Sequence, residues 1–333
     1  MTGKTGTLIA AHGRLWYDDP IYRLSWIFGP QCLVLLLMCW MFWPGPSASG
    51  VPWGKPVDPA EHQKEMLALR NQAINNRDAM LKLERIGAGG DTLANFYLGT
   101  LYDPSLNMSK LVSPDIARSI LYYEASAQGG DADAQNNLVN FYSAARFGRL
   151  DAAKACQWAA KDIANPSAYV LLVLGDCLAN GSGNTKIDIP AAVSKYDAAS
   201  KKGNLRATAI LGYYYESGQG NLPKNPETAV KLYKQAADKG DALGMHNLGA
   251  SYDRGIGSLP RDSREAARLL ALALDQKYAF TVNTLTTRPQ VFSAQTWQEL
   301  QRQLGTRNLY SGPFDGIPNP ATLDAIRKLG GAG

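Results

Sequence analysis

The chain has 333 residues, 45% of them hydrophobic, and a net charge of +5 at pH 7. This length suggests about two domains by the usual prior, and the apolar content is sufficient for a buried core. The positive charge is spread along the chain without a basic run, so we expect no nucleic-acid binding. The cysteines and histidines lack the spacing of metal ligands, so we expect no metal site and no cofactor. They are Cys32, Cys39, Cys156, Cys177, His12, His62 and His246.

An uncharged segment near the amino terminus predicts a membrane-spanning helix. Residues 24–43 are 20 consecutive uncharged and mostly apolar residues, a length that crosses about 30 Å of hydrocarbon as a helix. Asp19 followed by Pro20 is typical of a helix start. We therefore predict a single transmembrane helix over residues 20–43, which attaches the chain to a membrane and follows a cytoplasmic segment, residues 1–19.

The charges that flank this segment predict its orientation. Lys4, Arg14 and Arg23 precede the uncharged segment, whereas Lys55 is the one Lys or Arg in the first 20 residues after it. This asymmetry keeps the amino terminus in the cytoplasm and exports the remainder. A cleaved signal peptide is the alternative, because residues 46–50 resemble a cleavage site, but the long polar start and the long apolar run favour an uncleaved anchor.

The segment after the span changes from a linker to helix-forming sequence. Residues 44–59 are rich in Pro, Gly and Ser and are interpreted as a linker. Residues 60–90 carry apolar residues at roughly helical spacing, so we predict a helical region that caps the repeat array described next.

Three glycine pairs with the pattern GxG recur every 37 residues, the first being Gly181 and Gly183. A phosphate-binding loop would need a preceding strand and, in P-loop proteins, a Lys and a Ser or Thr after the last glycine. None of the three pairs has this context. Their fixed period indicates a turn that is repeated in each unit of an array, where glycine supplies backbone freedom.

Leu-Gly pairs define the units of this array. They occur at intervals of 40, 36, 37 and 37 residues, and Val139 replaces glycine in the second unit. A bulky residue follows three positions after the glycine position in every unit, and a second helix follows the loop. The pattern predicts αα-hairpins that bury their apolar faces only by stacking. The pairs are Leu98-Gly99, Leu138-Val139, Leu174-Gly175, Leu211-Gly212 and Leu248-Gly249.

Over residues 91–278 the sequence resembles the Sel1-like repeat proteins, relatives of the tetratricopeptide solenoids. The Leu-Gly, GxG and Ala-Ala elements occur in order in the last three units, and the first two lack the GxG loop. The resemblance implies an all-α chain in which about five units form a right-handed superhelix whose inner face binds another protein. It implies no catalysis, and bacterial members of the family commonly look like periplasmic adaptors or regulators.

The inner face of such a superhelix is built largely from the first helices of successive units. Binding energy at protein interfaces concentrates in a few aromatic or Arg residues. We therefore predict Tyr213, Tyr214 and Arg254 as protein-binding residues. Two cysteines lie on neighbouring predicted helices, and Cys156 and Cys177 form either a disulfide, which an oxidising periplasm allows, or two buried thiols.

After residue 278 the sequence resembles the small helical peptidoglycan-binding domain found beside cell-wall hydrolases. The matching elements include Leu300-Gln301 and Ala325-Ile326, and we assign residues 279–333 to this domain. Asn308 and Asn319 stand where the family has glycine. The resemblance implies peptidoglycan-binding candidates. The alternative for the two aromatic residues is structural, with Phe314 filling the small core and Tyr310 packing across the helices. The candidates are Tyr310, Gly312, Phe314, Asp315, Gly316 and Thr322.

Two classes of function follow from these features. The first is a non-enzymatic scaffold, anchored in the bacterial inner membrane, that holds a protein partner of an envelope complex in the periplasm and contacts peptidoglycan. The second is a regulator or activating subunit of a peptidoglycan-modifying enzyme or of a membrane sensor kinase. Hydrolysis by the chain itself would need paired carboxylates, a metal cluster or a Cys/His pair. No such group is evident in the sequence, so we predict no catalytic residue.

Overall fold

The computed structural model describes residues 58–143, 150–161 and 163–331, which form fifteen α-helices and no strand. In chain order they are α1 (Pro59–Ala73), α2 (Arg77–Ala88), α3 (Thr92–Tyr102), α4 (Ile116–Gln128), α5 (Ala132–Ser143), α6 (Ala152–Ala159), α7 (Ala168–Asn180), α8 (Ile189–Lys201), α9 (Leu205–Ser217), α10 (Pro226–Asp238), α11 (Ala242–Arg254), α12 (Ser263–Asp275), α13 (Ala279–Thr287), α14 (Ala294–Thr306) and α15 (Pro320–Leu329).

Within the described ranges, every helix is too short or too polar to cross a lipid bilayer. The span predicted over residues 20–43 lies outside these ranges. The same is true of the cytoplasmic segment predicted over residues 1–19 and of the predicted linker up to residue 57. The helical region predicted over residues 60–90 corresponds to α1 and α2.

Short polar side chains begin nearly all of these helices. Fourteen of the fifteen described helices have an Asp, Asn or Ser at the N-cap whose side-chain oxygen accepts a hydrogen bond from a backbone N–H of the first turn. Each such cap contributes about 0.5–2 kcal/mol to helix stability. The helix boundaries are therefore encoded locally. The exception is α13, whose N-cap residue is Tyr278.

Ten of the helices form five consecutive αα-hairpins, each made of a first helix (α3, α5, α7, α9 or α11) and a second helix (α4, α6, α8, α10 or α12). Glycine allows close approach within three of them. A Cβ atom added to Gly99, Gly175 or Gly212 would lie 2.6 Å from a ring carbon of a tyrosine on the paired second helix. The glycines of these Leu-Gly pairs therefore have a packing role.

The GxG loops end the first helices of the last three units. Gly181, Gly218 and Gly255 are the C-cap residues of α7, α9 and α11, with φ of 69°, 72° and 69°. This left-handed conformation is the one that glycine adopts without steric cost. The prediction that these glycines form a turn is confirmed.

Hydrophobic side chains form a series of local cores between neighbouring hairpins, as expected of a solenoid. The last core is shared across the boundary predicted at residue 279. It joins Leu270 and Leu274 on α12 to Leu285 on α13 and to Trp297 and Leu300 on α14. The carboxyl-terminal helices are therefore continuous with the solenoid and cover its last hairpin.

One spacing of the repeat recurs after residue 278, the predicted end of the repeats. Leu285 and Thr286 on α13 lie 37 residues after Leu248 and Gly249 on α11. Thr286 occupies the glycine position, so the Leu-Gly pair that marks the earlier units is absent here. By its position in this spacing, α13 corresponds to the first helix of a sixth unit.

Candidate functional site

The candidate site is a surface on three successive first helices. Six side chains on these helices occupy neighbouring or repeat-equivalent positions and are at least partly exposed. We call this surface the first-helix face. It consists of Tyr169 and Asp176 on α7, Arg206, Tyr213 and Glu216 on α9, and Arg254 on α11.

A polar network fixes one end of the first-helix face. Glu216 accepts a hydrogen bond from the hydroxyl of Tyr233 on α10 at 2.9 Å and forms an ion pair with Arg254 at 3.1 Å. Burial and the nearby Glu216 charge raise the pKa of Tyr233, so its hydroxyl stays protonated and donates. The network connects α9, α10 and α11, and it leaves the Arg254 side chain about half exposed, at 47%.

The two tyrosines predicted to bind a partner differ in exposure. Tyr213 is 51% exposed, the highest value among the tyrosines of the described chain, whereas Tyr214 is 7% exposed. The Tyr214 ring stacks on the Tyr196 ring with centroids 5.8 Å apart. Tyr214 is therefore a core residue, and its prediction as a surface anchor is corrected. The prediction treated Tyr213 and Tyr214 alike, whereas consecutive residues of a helix point about 100° apart, so two neighbours face different surroundings.

A cavity of about 350 Å³ opens beside the first-helix face. Its lining includes Tyr169, Asp176 and Arg206, which are not among the residues predicted from the sequence. The tyrosine hydroxyl of Tyr196 donates to Asp176 Oδ1 at 2.8 Å, and burial raises the pKa of the Asp176 carboxyl. The repeat period contained a usable signal, because Asp176 lies 37 residues before Tyr213.

A disulfide joins Cys156 on α6 to Cys177 on α7, with a Cα–Cα distance of 5.8 Å. It links the second hairpin to the third, and both cysteines line the cavity. Of the two alternatives left open by the sequence, the structure contains the disulfide.

In the carboxyl-terminal helices, three of the predicted peptidoglycan-binding residues surround one buried side chain. Gln301 accepts a hydrogen bond from the backbone N–H of Gly316 at 2.9 Å, and its amide nitrogen lies 3.3 Å from both Asp315 Oδ1 and Thr322 Oγ1. A backbone N–H donated by Ile317 lowers the pKa of Asp315. These contacts show that Asp315, Gly316 and Thr322 hold the turn against α14.

The other three candidates divide between core and surface. Tyr310 is 6% exposed, its hydroxyl donates to Pro313 O at 3.0 Å, and Gly312 packs against its ring. Phe314 is 42% exposed and Ile317 on the same turn is 61% exposed. Of the two aromatic candidates, Tyr310 is thus a packing residue and Phe314 presents its ring to solvent, where the Arg302 guanidinium lies 6.0 Å from the ring centroid.

The described ranges contain no group of three His, Cys, Asp or Glu side chains arranged to hold a metal ion. The first-helix face offers an aromatic ring, hydrogen-bond donors and acceptors, and an adjoining cavity.

Comparison with known proteins identifies the repeats. Four segments match the Sel1 repeat family, residues 92–131, 168–204, 205–241 and 242–278. These four matches lie within the solenoid, and the unmatched hairpin between the first and second of them is the one that has Val139 in place of glycine. A search of the curated proteins finds no match.

Two solved structures share the fold. One is a Sel1 repeat protein from Oxalobacter formigenes, with 22% identity and a TM-score of 0.55, covering 83% of this chain and 97% of that one. The other is c5321, a protective antigen of uropathogenic Escherichia coli strains with an SLR fold, with 21% identity and a TM-score of 0.52. That match covers 82% of this chain, which spans 62% of the length of c5321.

Proposed function

We propose that the protein is a membrane-anchored scaffold that binds a protein partner on the first-helix face, outside the cytoplasm. The observation that carries this proposal is the exposed Tyr213 ring, which lies on the same helix as Glu216 of the Glu216–Arg254 ion pair and as Arg206, a residue that lines the cavity. An exposed aromatic ring beside an ordered Arg is typical of residues that dominate binding energy. Sel1 repeats generally mediate protein–protein interaction, which agrees with this role.

The disulfide supports the proposed location. Disulfides persist in oxidising compartments such as the periplasm and are rare in the cytosol. A bond between Cys156 and Cys177 agrees with export of the solenoid through an anchor at residues 20–43 and with a place in the bacterial envelope. The partner we propose is a component of an envelope complex.

Site-specific photocrosslinking in living cells tests the first-helix face. The photoreactive residue p-benzoylphenylalanine is placed at position 213, in the full-length chain, and at position 231 as the matched control. Lys231 is exposed on the second helix α10 of the same hairpin. We expect a crosslinked partner from position 213 and none from position 231. A partner captured from position 231 alone would contradict the proposed surface.

Identification of the crosslinked partner by mass spectrometry separates the two classes of function. A structural component of an envelope machine agrees with a scaffold. A peptidoglycan hydrolase or a sensor kinase would instead make the protein a regulator of that enzyme.

We also propose contact with peptidoglycan through Phe314, which belongs to the turn that the resemblance to a peptidoglycan-binding domain singles out. An exposed aromatic ring on a turn fixed by Gln301 offers a flat apolar face to a sugar ring. The test is co-sedimentation of the full-length protein in detergent with purified sacculi, comparing Phe314→Ala with Phe280→Ala. Phe280 is equally exposed, at 42%, and lies on α13. Equal sedimentation of the two variants would contradict contact through Phe314.

A further inference from the structure

The cavity beside the first-helix face combines an apolar interior with a polar rim. Leu172 and Val173 on α7 line it together with the Cys156–Cys177 disulfide and Ala155. These side chains are all at most 8% exposed, so they form a fixed wall of the neighbouring cores. Small-molecule sites have volumes of about 300–1,000 Å³. At about 350 Å³, this cavity is at the lower end of that range and suits one large side chain.

Two groups of opposite charge lie at the rim without contacting each other. Asp176 uses one carboxylate oxygen to accept from Tyr196, and the Arg206 charge acts on this carboxylate without forming an ion pair with it. Arg206 is exposed and, within the described part of the chain, forms no hydrogen bond or ion pair. One acceptor and one set of donors are therefore available beside the apolar interior.

This combination matches the chemistry of an extended peptide. A peptide backbone presents N–H donors and C=O acceptors along its length, and alternate side chains point towards the surface that binds it. Asp176 can accept from such an N–H and Arg206 can donate to such a C=O, while the side chain between them enters the cavity. A ligand with a single strong charge would be attracted by one of the two groups and repelled by the other.

We propose that this cavity is the anchor site for an extended segment of a partner protein, which inserts one large aliphatic or aromatic side chain and whose backbone is bound by Asp176 and Arg206. The inference rests on the proposed function and adds the chemistry of the partner. Tyr213, at the position equivalent to Asp176 in the next unit, extends the same surface along the segment.

Selection of phage-displayed random 12-residue peptides on the full-length protein in detergent tests this site. We expect the selected peptides to share one large apolar residue. A selected peptide is then synthesised with a fluorophore, and its Kd is measured by fluorescence anisotropy against four variants. Ala152 is exposed and lines the cavity, whereas its neighbour Ala153 is exposed and does not line it.

We expect Ala152→Trp, which blocks the cavity, to weaken binding at least tenfold, and Ala153→Trp to leave the Kd within about twofold. Arg206→Ala should weaken binding by about tenfold, whereas Arg264→Ala on α12 should not change it. Ala152 and Ala153 both lie on α6 and are exposed. Matching circular dichroism spectra of the two tryptophan variants would exclude loss of folding as the cause of a difference in Kd.

Equal binding by the two tryptophan variants, selected peptides without a shared apolar residue, or a failure to select any peptide would each overturn the anchor site. Those outcomes are distinguishable from failure of the proposed function, because crosslinking from position 213 does not depend on the cavity. A crosslinked partner together with any of these three results would leave the scaffold function in place and remove only the anchor site.

Discussion

Lowering the pH should destabilise the junction between the last matched repeat and the carboxyl-terminal helices, because a neutral histidine is buried there. His246 on α11 is 4% exposed, and its Nδ1 lies 3.1 Å from Thr281 Oγ1 on α13. Its ring also makes edge contacts with Phe280 and Phe292. Burial, with smaller contributions from Arg288 and Arg254, lowers the pKa of His246 from 6.5 to about 4.

The magnitude follows from the difference between the folded and unfolded pKa values. Between pH 6.5 and about 4 the open or unfolded state binds a proton that the closed state does not bind. Stability contributed by the neutral ring is therefore complete above pH 6.5 and decreases as the pH falls towards 4. With about 1.4 kcal/mol for each pKa unit, the closed junction should lose about 2 kcal/mol at pH 5 and about 3 kcal/mol at pH 4.

Hydrogen exchange measured by mass spectrometry can resolve this effect by segment. Peptides from α11 and α13 should show the loss in opening free energy between pH 7.5 and pH 5, after correction for the intrinsic exchange rate, whereas peptides from α8 should not. The variant His246→Gln, which keeps a hydrogen-bonding side chain without titrating, should abolish the difference. An equal loss in α8, or a loss that persists in His246→Gln, would refute the assignment to this histidine.

Three further predictions concern stability, measured as the free energy of unfolding in urea. The double variant Cys156→Ser and Cys177→Ser should lose about 3 kcal/mol, as expected for closing a loop of 21 residues, and a reducing agent should lower the wild type to the same value. Gly212→Ala should lose about 1 kcal/mol, because the added Cβ would lie 2.6 Å from a tyrosine ring and the overpacking outweighs the gain in helix propensity. An unchanged free energy of unfolding would mean that the ring moves aside. Tyr214→Ala should lose about 3 kcal/mol and Tyr213→Ala less than about 0.5, and comparable losses would contradict their different burial.

Much of the solenoid is determined locally and could be read from the sequence. N-cap residues such as Asp188 and Asn225, and glycines such as Gly218, act through contacts within a few residues, so their spacing predicts helix ends and turns directly. The repeat period then assigns equivalent positions in each unit. Four matched Sel1 repeats confirm this part of the prediction.

The tertiary structure decided which side chains are exposed and where the solenoid ends. Tyr213 and Tyr214 are adjacent and identical in type, and only the position of α8 determines that one ring is buried against Tyr196 and the other faces solvent. The cavity likewise depends on residues that are distant in sequence, such as Ala155 and Arg206. No local pattern specifies such contacts, because they result from how neighbouring hairpins pack.

The carboxyl-terminal helices show the same division. The turn motif around Asp315 and Gly316 is local, and the sequence by itself determined that a turn and a helix occur there. The association of the carboxyl-terminal helices with the last repeat was decided by packing, because Trp297 and Leu300 on α14 share a core with Leu270 on α12. Burial of apolar surface is not directional, so the different resemblance after residue 278 could mark a new motif but could not show that both sides share one core.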